Sequence, residues 1–233
     1  MSLPTLKFDR LWHVGSLDPL EKRVGSFEGS CLSVSTCPAA WRKIARGHVG
    51  GDCYAADTSQ IRFLDAHRLD QDTKNIILSW GVKEALAELS SIWTVSYYDE
   101  ELEDEIFFQL DDQDRARQEA AEILDIDEDD PCYEQKIASS IAFSNEHKGL
   151  PLLHERAGQN LPIYGDINVL DLLLPLWVES ETDLAGVWWE DRFNPETYSA
   201  PRGGIIPSRL SQIEFHLSAS EPYYPDEEEQ VAA

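Results

Sequence analysis

Apolar and polar residues alternate near both ends of the chain, and this alternation is the pattern of a half-buried strand. It predicts short strands over residues 11–14, 31–35, 52–57, 61–65, 186–189 and 205–206. Residues 92–98 are rich in β-branched and aromatic side chains and are predicted as a further strand. Trp188 and Trp189 are neighbours on one predicted strand. One is therefore expected in the core, and the other at the surface or lining a site.

The middle of the chain instead has apolar residues at helical spacing. This spacing predicts helices over residues 73–91, 112–124, 131–149 and 167–174, and a shorter helix is expected over residues 38–45. Pro131 suits the first turn of its helix, with Asp130 as the cap, and Gly149 is expected to end that helix.

Strands at both ends and helices between them predict an α+β fold. No linker divides the chain, so a single domain is expected over residues 1–217. It would have a β-rich core that carries a helical, acidic insertion at about residues 70–180. Residues 218–233 are acidic and are expected to form a disordered tail.

The chain is strongly acidic, with 44 Asp and Glu residues against 19 Lys and Arg residues and a formal net charge of −25. Such a surface repels phosphate backbones and anionic lipids, so non-specific binding to nucleic acid or membranes is not expected. Three interpretations stay open: an ordinary acidic protein, a protein of a salt-adapted organism, or a polyanion mimic that covers a basic partner. The acidic run at residues 99–105 is either a solvated face or a docking patch for such a partner.

The four cysteines include no Cys-x-x-Cys pair and are predicted to be buried, reduced thiols. The spacing of Cys31, Cys37, Cys53 and His48 matches no common zinc knuckle, so no metal site is predicted. The first residues lack an apolar signal segment, and no apolar run is long enough to span a bilayer. A cytoplasmic location is therefore expected.

Standard catalytic motifs do not occur: the chain lacks Gly-x-x-x-x-Gly-Lys-[Ser/Thr], His-Glu-x-x-His and Gly-x-Ser-x-Gly. Gly203-Gly204 lacks the spacing and the following helix of a dinucleotide fingerprint. Candidate residues instead form a series along the predicted strands. The series comprises His13, Gly15, Ser16, Ser33, Ser35, Tyr54, Asp57, Phe63-Leu64-Asp65, Gly186-Val187, Glu190 and Asp191.

The order of these pieces resembles the ADP-ribosyltransferase superfamily over residues 11–65 and 184–215. Its members often begin with His-x-[Ser/Thr] or His-Gly-[Ser/Thr], continue through a strand, Ser or Tyr and a helix, and then carry Tyr-x-x-Asp and Leu-Asp. They often end with Gly-Val and a final strand. The resemblance implies a protein that cleaves NAD and transfers ADP-ribose to a protein or nucleic-acid acceptor. A carboxylate near the ribose would stabilise the oxocarbenium-like centre.

The resemblance also implies roles for individual residues. NAD would be held by His13, Gly15 and Ser16, with Ser33, Ser35 and Tyr54 at the nicotinamide pocket and Glu190 or Asp191 as the catalytic carboxylate. Two features depart from the family pattern. The first motif is His-Val-Gly-Ser, and Pro201-Arg202 stands where the acid is expected. The acid is then displaced, supplied by Glu196, or missing as in a pseudo-enzyme, and Arg202 becomes a candidate bidentate ligand of the pyrophosphate.

Each candidate also has a purely structural interpretation. His13 lies between Trp12 and Val14 and fits a core histidine, and Glu190 with Asp191 fits a solvated strand end. Two functions from other classes stay open as well. One is an acidic, non-catalytic inhibitor or immunity-type protein that covers a basic partner surface, and the other is an interaction domain without a small ligand.

Overall fold

The computed structural model describes residues 3–17, 31–40, 52–99, 103–126, 129–190 and 201–218. The chain divides into two compact units. We call them the two-sheet unit, Met1–Ile77 with Glu155–Asn160 and Asp171–Ala233, and the acidic unit, Leu78–His154 with Leu161–Leu170. The insertion predicted at about residues 70–180 spans the whole acidic unit.

The described residues form both strands and helices. The strands are β1 (Thr5–Leu6), β2 (Arg10–Val14), β3 (Leu32–Val34), β4 (Cys53–Asp57), β5 (Phe63–Asp65), β6 (Ala87–Asp99), β7 (Asp104–Leu110), β8 (Ile141–Gly149), β9 (Gly186–Glu190), β10 (Arg202–Ile205) and β11 (Phe215–Leu217). The α-helices are α1 (Gln71–Lys83), α2 (Gln113–Ile123), α3 (Tyr133–Ser140), α4 (Pro151–Ala157) and α5 (Asp166–Glu181), and 3₁₀ helices cover Ala66–Arg68 and Pro207–Gln212. A further helix begins at Pro38, as predicted.

The two-sheet unit is built from both ends of the chain. One sheet has five strands in the order β1-β5-β9-β10-β3, with β5 and β9 parallel, and the other is antiparallel in the order β11-β4-β2. Trp12 and Ser35 exchange two backbone hydrogen bonds of 2.9 Å, so β2 also pairs with the residue that follows β3. Both sheets therefore meet at β2 and β3.

Close packing in the five-stranded sheet depends on glycine. Phe8, Phe63 and Trp188 form an aromatic cluster in the core, with ring centroids of Phe8 and Trp188 4.2 Å apart. A Cβ on Gly203 would lie 2.3 Å from the Trp188 ring, and a Cβ on Gly186 would lie 1.9 Å from the Gly204 carbonyl oxygen. Gly186 therefore allows β9 and β10 to approach each other closely, and Gly203 leaves room for the Trp188 ring.

The sequence predicts one tryptophan of the pair at the surface or lining a site, but neither lies at the surface. Trp188 is 2% exposed and Trp189 is 9% exposed, although they lie on opposite faces of β9. β9 is the middle strand of the five-stranded sheet, and Val187 is also fully buried. A strand buried on both faces hides both tryptophans.

The acidic unit has a simpler architecture. Its antiparallel sheet has the order β7-β6-β8, and α2 and α3 pack against one face through a core of Val95, Ala116, Ala120 and Ile137. The predicted helix over residues 112–124 is confirmed. The Asp112 side chain caps it by accepting a 2.7 Å hydrogen bond from the Arg115 backbone.

Two of the predicted helices are too long. The helix expected over residues 131–149 ends at Ser140, and the chain continues as β8, because Ile141 and its successors pair with β6 instead. The helix expected over residues 73–91 ends at Lys83. There Ala85 has a positive φ of 55°, and the Leu86 and Ala85 backbone N–H groups bond the Gly81 and Val82 carbonyls, which closes the helix. The predicted helical insertion thus contains a three-stranded sheet.

The α+β fold class is confirmed at this level. No described helix is long and apolar enough to cross a membrane. The described part of the chain contains no group of three or more His, Cys, Asp or Glu side chains arranged to hold a metal ion. Cys31, Cys37 and Cys53 are buried as predicted, whereas Cys132 is exposed. The predicted tail beyond Ser218 lies outside the described residues.

Candidate functional site

His13 lies on the inner face of β2. Alternation along this strand buries Leu11 and His13 and leaves Arg10 exposed. The ring nitrogen Nδ1 lies 2.7 Å from the Ser33 carbonyl oxygen, and Nε2 lies 2.9 Å from the Ser16 carbonyl oxygen. Carbonyl oxygens only accept hydrogen bonds, and a neutral imidazole has one N–H, so it donates to one of these oxygens at a time. Both nitrogens of His13 therefore face the backbone.

Ser33 and Ser35 lie beside β10. Gly204 pairs with Ser33 in the antiparallel ladder between β10 and β3. The buried Ser35 hydroxyl donates a 2.5 Å hydrogen bond to the Pro201 carbonyl and accepts one of 2.9 Å from the Cys37 backbone. Ser35 thus fixes the backbone immediately before Arg202, the first residue of β10.

Tyr54 and Gly15 complete this region. Tyr54 pairs with His13 across β4 and β2 and is half-buried. Gly15 has a φ of 113°, which a residue with a side chain rarely adopts, and its N–H bonds the Asp52 carbonyl at 3.0 Å. The turn after β2 therefore requires glycine, and it presents Ser16 at the surface.

The predicted acidic pair is described only in part. The backbone of Glu190 pairs with Arg202 at the end of β9, next to a break in the strand register, and Asp191 and Glu196 lie outside the described residues. Another carboxylate lies close to Arg202. Burial raises the pKa of Asp171 on α5, while the charges of Arg202 and Lys74 oppose that rise.

Sequence reasoning missed Asp171, although the chain carried a signal for it. It is the single charged residue within the apolar helical run at residues 167–174. An acidic side chain in such a run is rarely solvated, so it requires either a partner or a neutral form. Its proximity to Arg202 follows from tertiary packing that no local pattern records.

The candidate residues therefore lie on or next to neighbouring strands, although the pairings put His13 and Tyr54 on one face and Ser35, which pairs with Trp12, on the other. His13, Ser33, Ser35, Tyr54 and Arg202 come from four strands that are neighbours in the two sheets, although they span residues 13 to 202 in sequence. His13 and Ser35 are occupied by backbone partners. Ser33, Tyr54 and Arg202 are partly exposed and are better placed to meet a ligand.

A separate depression lies on the two-sheet unit at β4 and β11. Its volume is about 610 Å³, and its polar lining consists of Arg10, Asp57, Gln60, Gln212, Glu214, His216 and Ser218. Of the candidate residues named from the sequence, Asp57 lines it. Asp57 and Glu214 put two carboxylates beside one guanidinium, a composition that does not favour a pyrophosphate.

A histidine–carboxylate pair lies in the acidic unit. His147 Nδ1 lies 2.8 Å from an Asp166 carboxylate oxygen, which also accepts the His147 backbone N–H. A catalytic triad would need a nucleophile bonded to Nε2. Ser91, on the neighbouring strand, directs its hydroxyl to Asn145 at 3.4 Å instead. This pair therefore anchors the start of α5 to β8 and forms no triad.

Comparison of the chain with protein-family models, curated protein sequences and solved structures finds no match.

Proposed function

We propose that the two-sheet unit binds NAD and acts as an ADP-ribosyltransferase-like protein, with a protein or a nucleic acid as the acceptor of ADP-ribose. One observation carries the proposal. His13, Ser33, Ser35 and Tyr54 lie on or next to β2, β3 and β4, and β10 connects β3 to β9, which ends at Glu190.

Different residues would serve this function in different ways. His13 and Ser35 position the site, because their polar atoms hold β2, β3 and the start of β10 together. Tyr54 would contact the nicotinamide end of NAD, together with the turn formed by Gly15 and Ser16. Arg202 would bind the pyrophosphate, since a guanidinium matches two phosphate oxygens at once.

The carboxylate of the reaction is assigned to Glu190 or Asp191. Glu190 follows the buried part of β9 and pairs by its backbone with Arg202. A carboxylate at that point would stabilise the positive charge that develops on the ribose as nicotinamide leaves.

The direct test is to incubate the protein with NAD labelled in the adenylate part and to measure nicotinamide release and label transfer. Glu190→Gln and Asp191→Asn should each reduce turnover at unchanged melting temperature, and Arg202→Lys should raise KM more than it lowers kcat. Glu214→Gln is the matched control, because it changes a carboxylate of the β4–β11 depression. Absence of turnover together with absence of an NAD-induced rise in melting temperature would sink the proposal.

A second candidate function is favoured by the distribution of charge. The acidic unit contains 21 Asp and Glu residues and five Lys and Arg residues, and it holds most of the chain's net negative charge. This concentration suits a non-catalytic inhibitor or immunity-type protein that covers a basic partner. Binding to such a partner should weaken as ionic strength rises, and salt-independent binding would contradict it.

A further inference from the structure

The face of the acidic unit's sheet that is opposite α2 and α3 carries two exposed aromatic side chains. Trp93 and Val95 of β6 and Phe108 and Leu110 of β7 pack toward the helices. Their neighbours in the sequence point to the other face, because side chains alternate along a strand. On that face Tyr98 is 64% exposed and Phe107 is 67% exposed.

These two residues lie on adjacent strands. Phe107 pairs with Ser96 and Glu105 pairs with Tyr98 in the ladder between β6 and β7, so Tyr98 and Phe107 are diagonal neighbours on one face. Diagonal pairs in a sheet are within reach of aromatic side chains. The small polar side chains of Thr94 and Ser96 continue the same face. The result is an open surface with two rings, which we call the Tyr98–Phe107 face.

Carboxylates border this face. Glu105 is exposed and lies opposite Tyr98, and Glu103 is exposed at the turn between the strands. Residues 99–105 are acidic at six of their seven positions, and no Lys or Arg occurs between Lys83 and Arg115. The hairpin of β6 and β7 therefore presents negative charge without a basic residue of its own.

We propose that the Tyr98–Phe107 face is the docking surface for a basic, extended segment of a partner protein. Lysine or arginine side chains of such a segment would lie over the two rings and pair with Glu103 and Glu105. Their aliphatic stems would cover the exposed aromatic surface. Nucleic acid and anionic lipid carry the wrong charge for this surface. The inference rests on the charge of the acidic unit and does not depend on NAD binding by the two-sheet unit.

The test uses a synthetic peptide of alternating lysine and threonine as the basic probe and the full chain as the receptor. The peptide should bind at low salt, and an alternating glutamate–threonine peptide should not. Phe107→Ser and Tyr98→Ser should each weaken the affinity for the lysine peptide by at least about fivefold. Backbone amide shifts in NMR spectra should change in β6 and β7.

Two variants provide matched controls within the same unit. Phe143→Ser removes another exposed ring, 58% exposed, whose partner Trp93 lies on the helix-packed face of the sheet. Glu105→Gln removes a charge of the face and should weaken the binding, and its matched control Asp125→Asn removes one exposed charge after α2. Both controls should leave the affinity unchanged. If Phe143→Ser and Phe107→Ser weaken the affinity equally, or if neither Phe107→Ser nor Tyr98→Ser weakens it, binding follows net charge alone and the proposal is overturned. Absence of binding of the lysine peptide would also overturn it.

Discussion

The two units bury their sheets in different ways. In the two-sheet unit the middle strand β9 is covered on both faces, and Val187, Trp188 and Trp189 are all buried. In the acidic unit, Val95 is buried under helices while Tyr98 and Phe107, on the other face, are exposed. In a sheet that is covered on both faces, little space is left for additional side-chain atoms. The face of Tyr98 and Phe107 is buried farther along β6, at Ile92, but it stays open at these two rings and at the exposed Glu105 beside them.

The largest expected effect concerns glycine. Gly186→Ala should destabilise the protein by about 3 kcal/mol or prevent folding, because the new methyl group meets a backbone carbonyl that cannot rotate away. Gly149→Ala in the acidic unit should cost about 1 kcal/mol, since its nearest neighbour is the His154 side chain at 2.9 Å. Urea unfolding followed by tryptophan fluorescence measures both. Equal losses of stability for Gly186→Ala and Gly149→Ala would contradict the expected difference between the two units.

The second prediction concerns the small core of the acidic unit. Ile137 is completely buried and packs with Val95, Ala116 and Ala120. Ile137→Ala should therefore lower the free energy of unfolding by about 3 kcal/mol. Hydrogen exchange should quicken first in β6, β7 and β8. Leu161→Ala is the control, because that side chain is 73% exposed and its loss should cost less than about 0.5 kcal/mol. Quickened exchange confined to the five-stranded sheet would contradict the assignment of this core.

The third prediction concerns pH and an ion pair of the acidic unit. The Lys148 ammonium donates a hydrogen bond to Asp111, which lowers the pKa of that carboxyl below its usual value, and Tyr164 bonds the same carboxylate at 3.4 Å. A lowered folded-state pKa stabilises the protein above the unfolded-state pKa, and this contribution is lost as pH falls through the folded-state value.

Asp111→Asn should therefore cost about 0.5–1 kcal/mol at pH 7 and almost nothing at a pH below the folded-state pKa of Asp111. Urea titrations of both proteins at neutral and at strongly acidic pH give the comparison. Asp112→Asn is less suitable as a control because Asp112 caps α2, so Asp129→Asn, also exposed in this unit, serves instead. A cost that stays constant with pH would show that the ion pair is not its source.

The smallest expected effect is a gain in stability at the end of α1. Ala85 has a φ of 55°, a conformation that favours glycine, so Ala85→Gly should stabilise the protein by about 0.5 kcal/mol. Ala121→Gly within α2 should instead cost about 1 kcal/mol, because glycine weakens a helix interior. Thermal unfolding would show the opposite signs. A loss of stability for Ala85→Gly would mean that the positive φ carries no strain.

Local patterns were sufficient for the strands of the two-sheet unit. β3, β4 and β5 lie within the predicted strand ranges, and β2 and β9 extend one residue beyond theirs, because each has its own alternation or β-branched and aromatic content. Local patterns failed for β8. Ile141 and Ser144 also fit a helical face with Ile137, and only pairing with Val95 and Ile92, more than forty residues earlier, makes them part of a strand. The end of α1 was missed because Ala85 is not a residue type that marks a helix end.

The candidate site was likewise predictable from the sequence only in part. The order of motifs groups His13, Ser33, Ser35 and Tyr54 as one site, which stays a prediction, and the strand pairings show only that they lie on or next to neighbouring strands. It did not reveal that the polar atoms of His13 and Ser35 bond the backbone, since those partners come from the turn at Ser16 and from Pro201. Nor did it reveal Asp171, which reaches Arg202 only through the packing of α5.

The measurement that tests the functional proposal most directly is hydrogen exchange of the full chain with and without saturating NAD. If NAD binds as proposed, we expect amide exchange to slow in β2, β3, β4 and β10 and to stay unchanged in β6, β7 and β8. Arg202→Lys should diminish this protection. No protection by NAD, or protection confined to the acidic unit, would contradict the proposal.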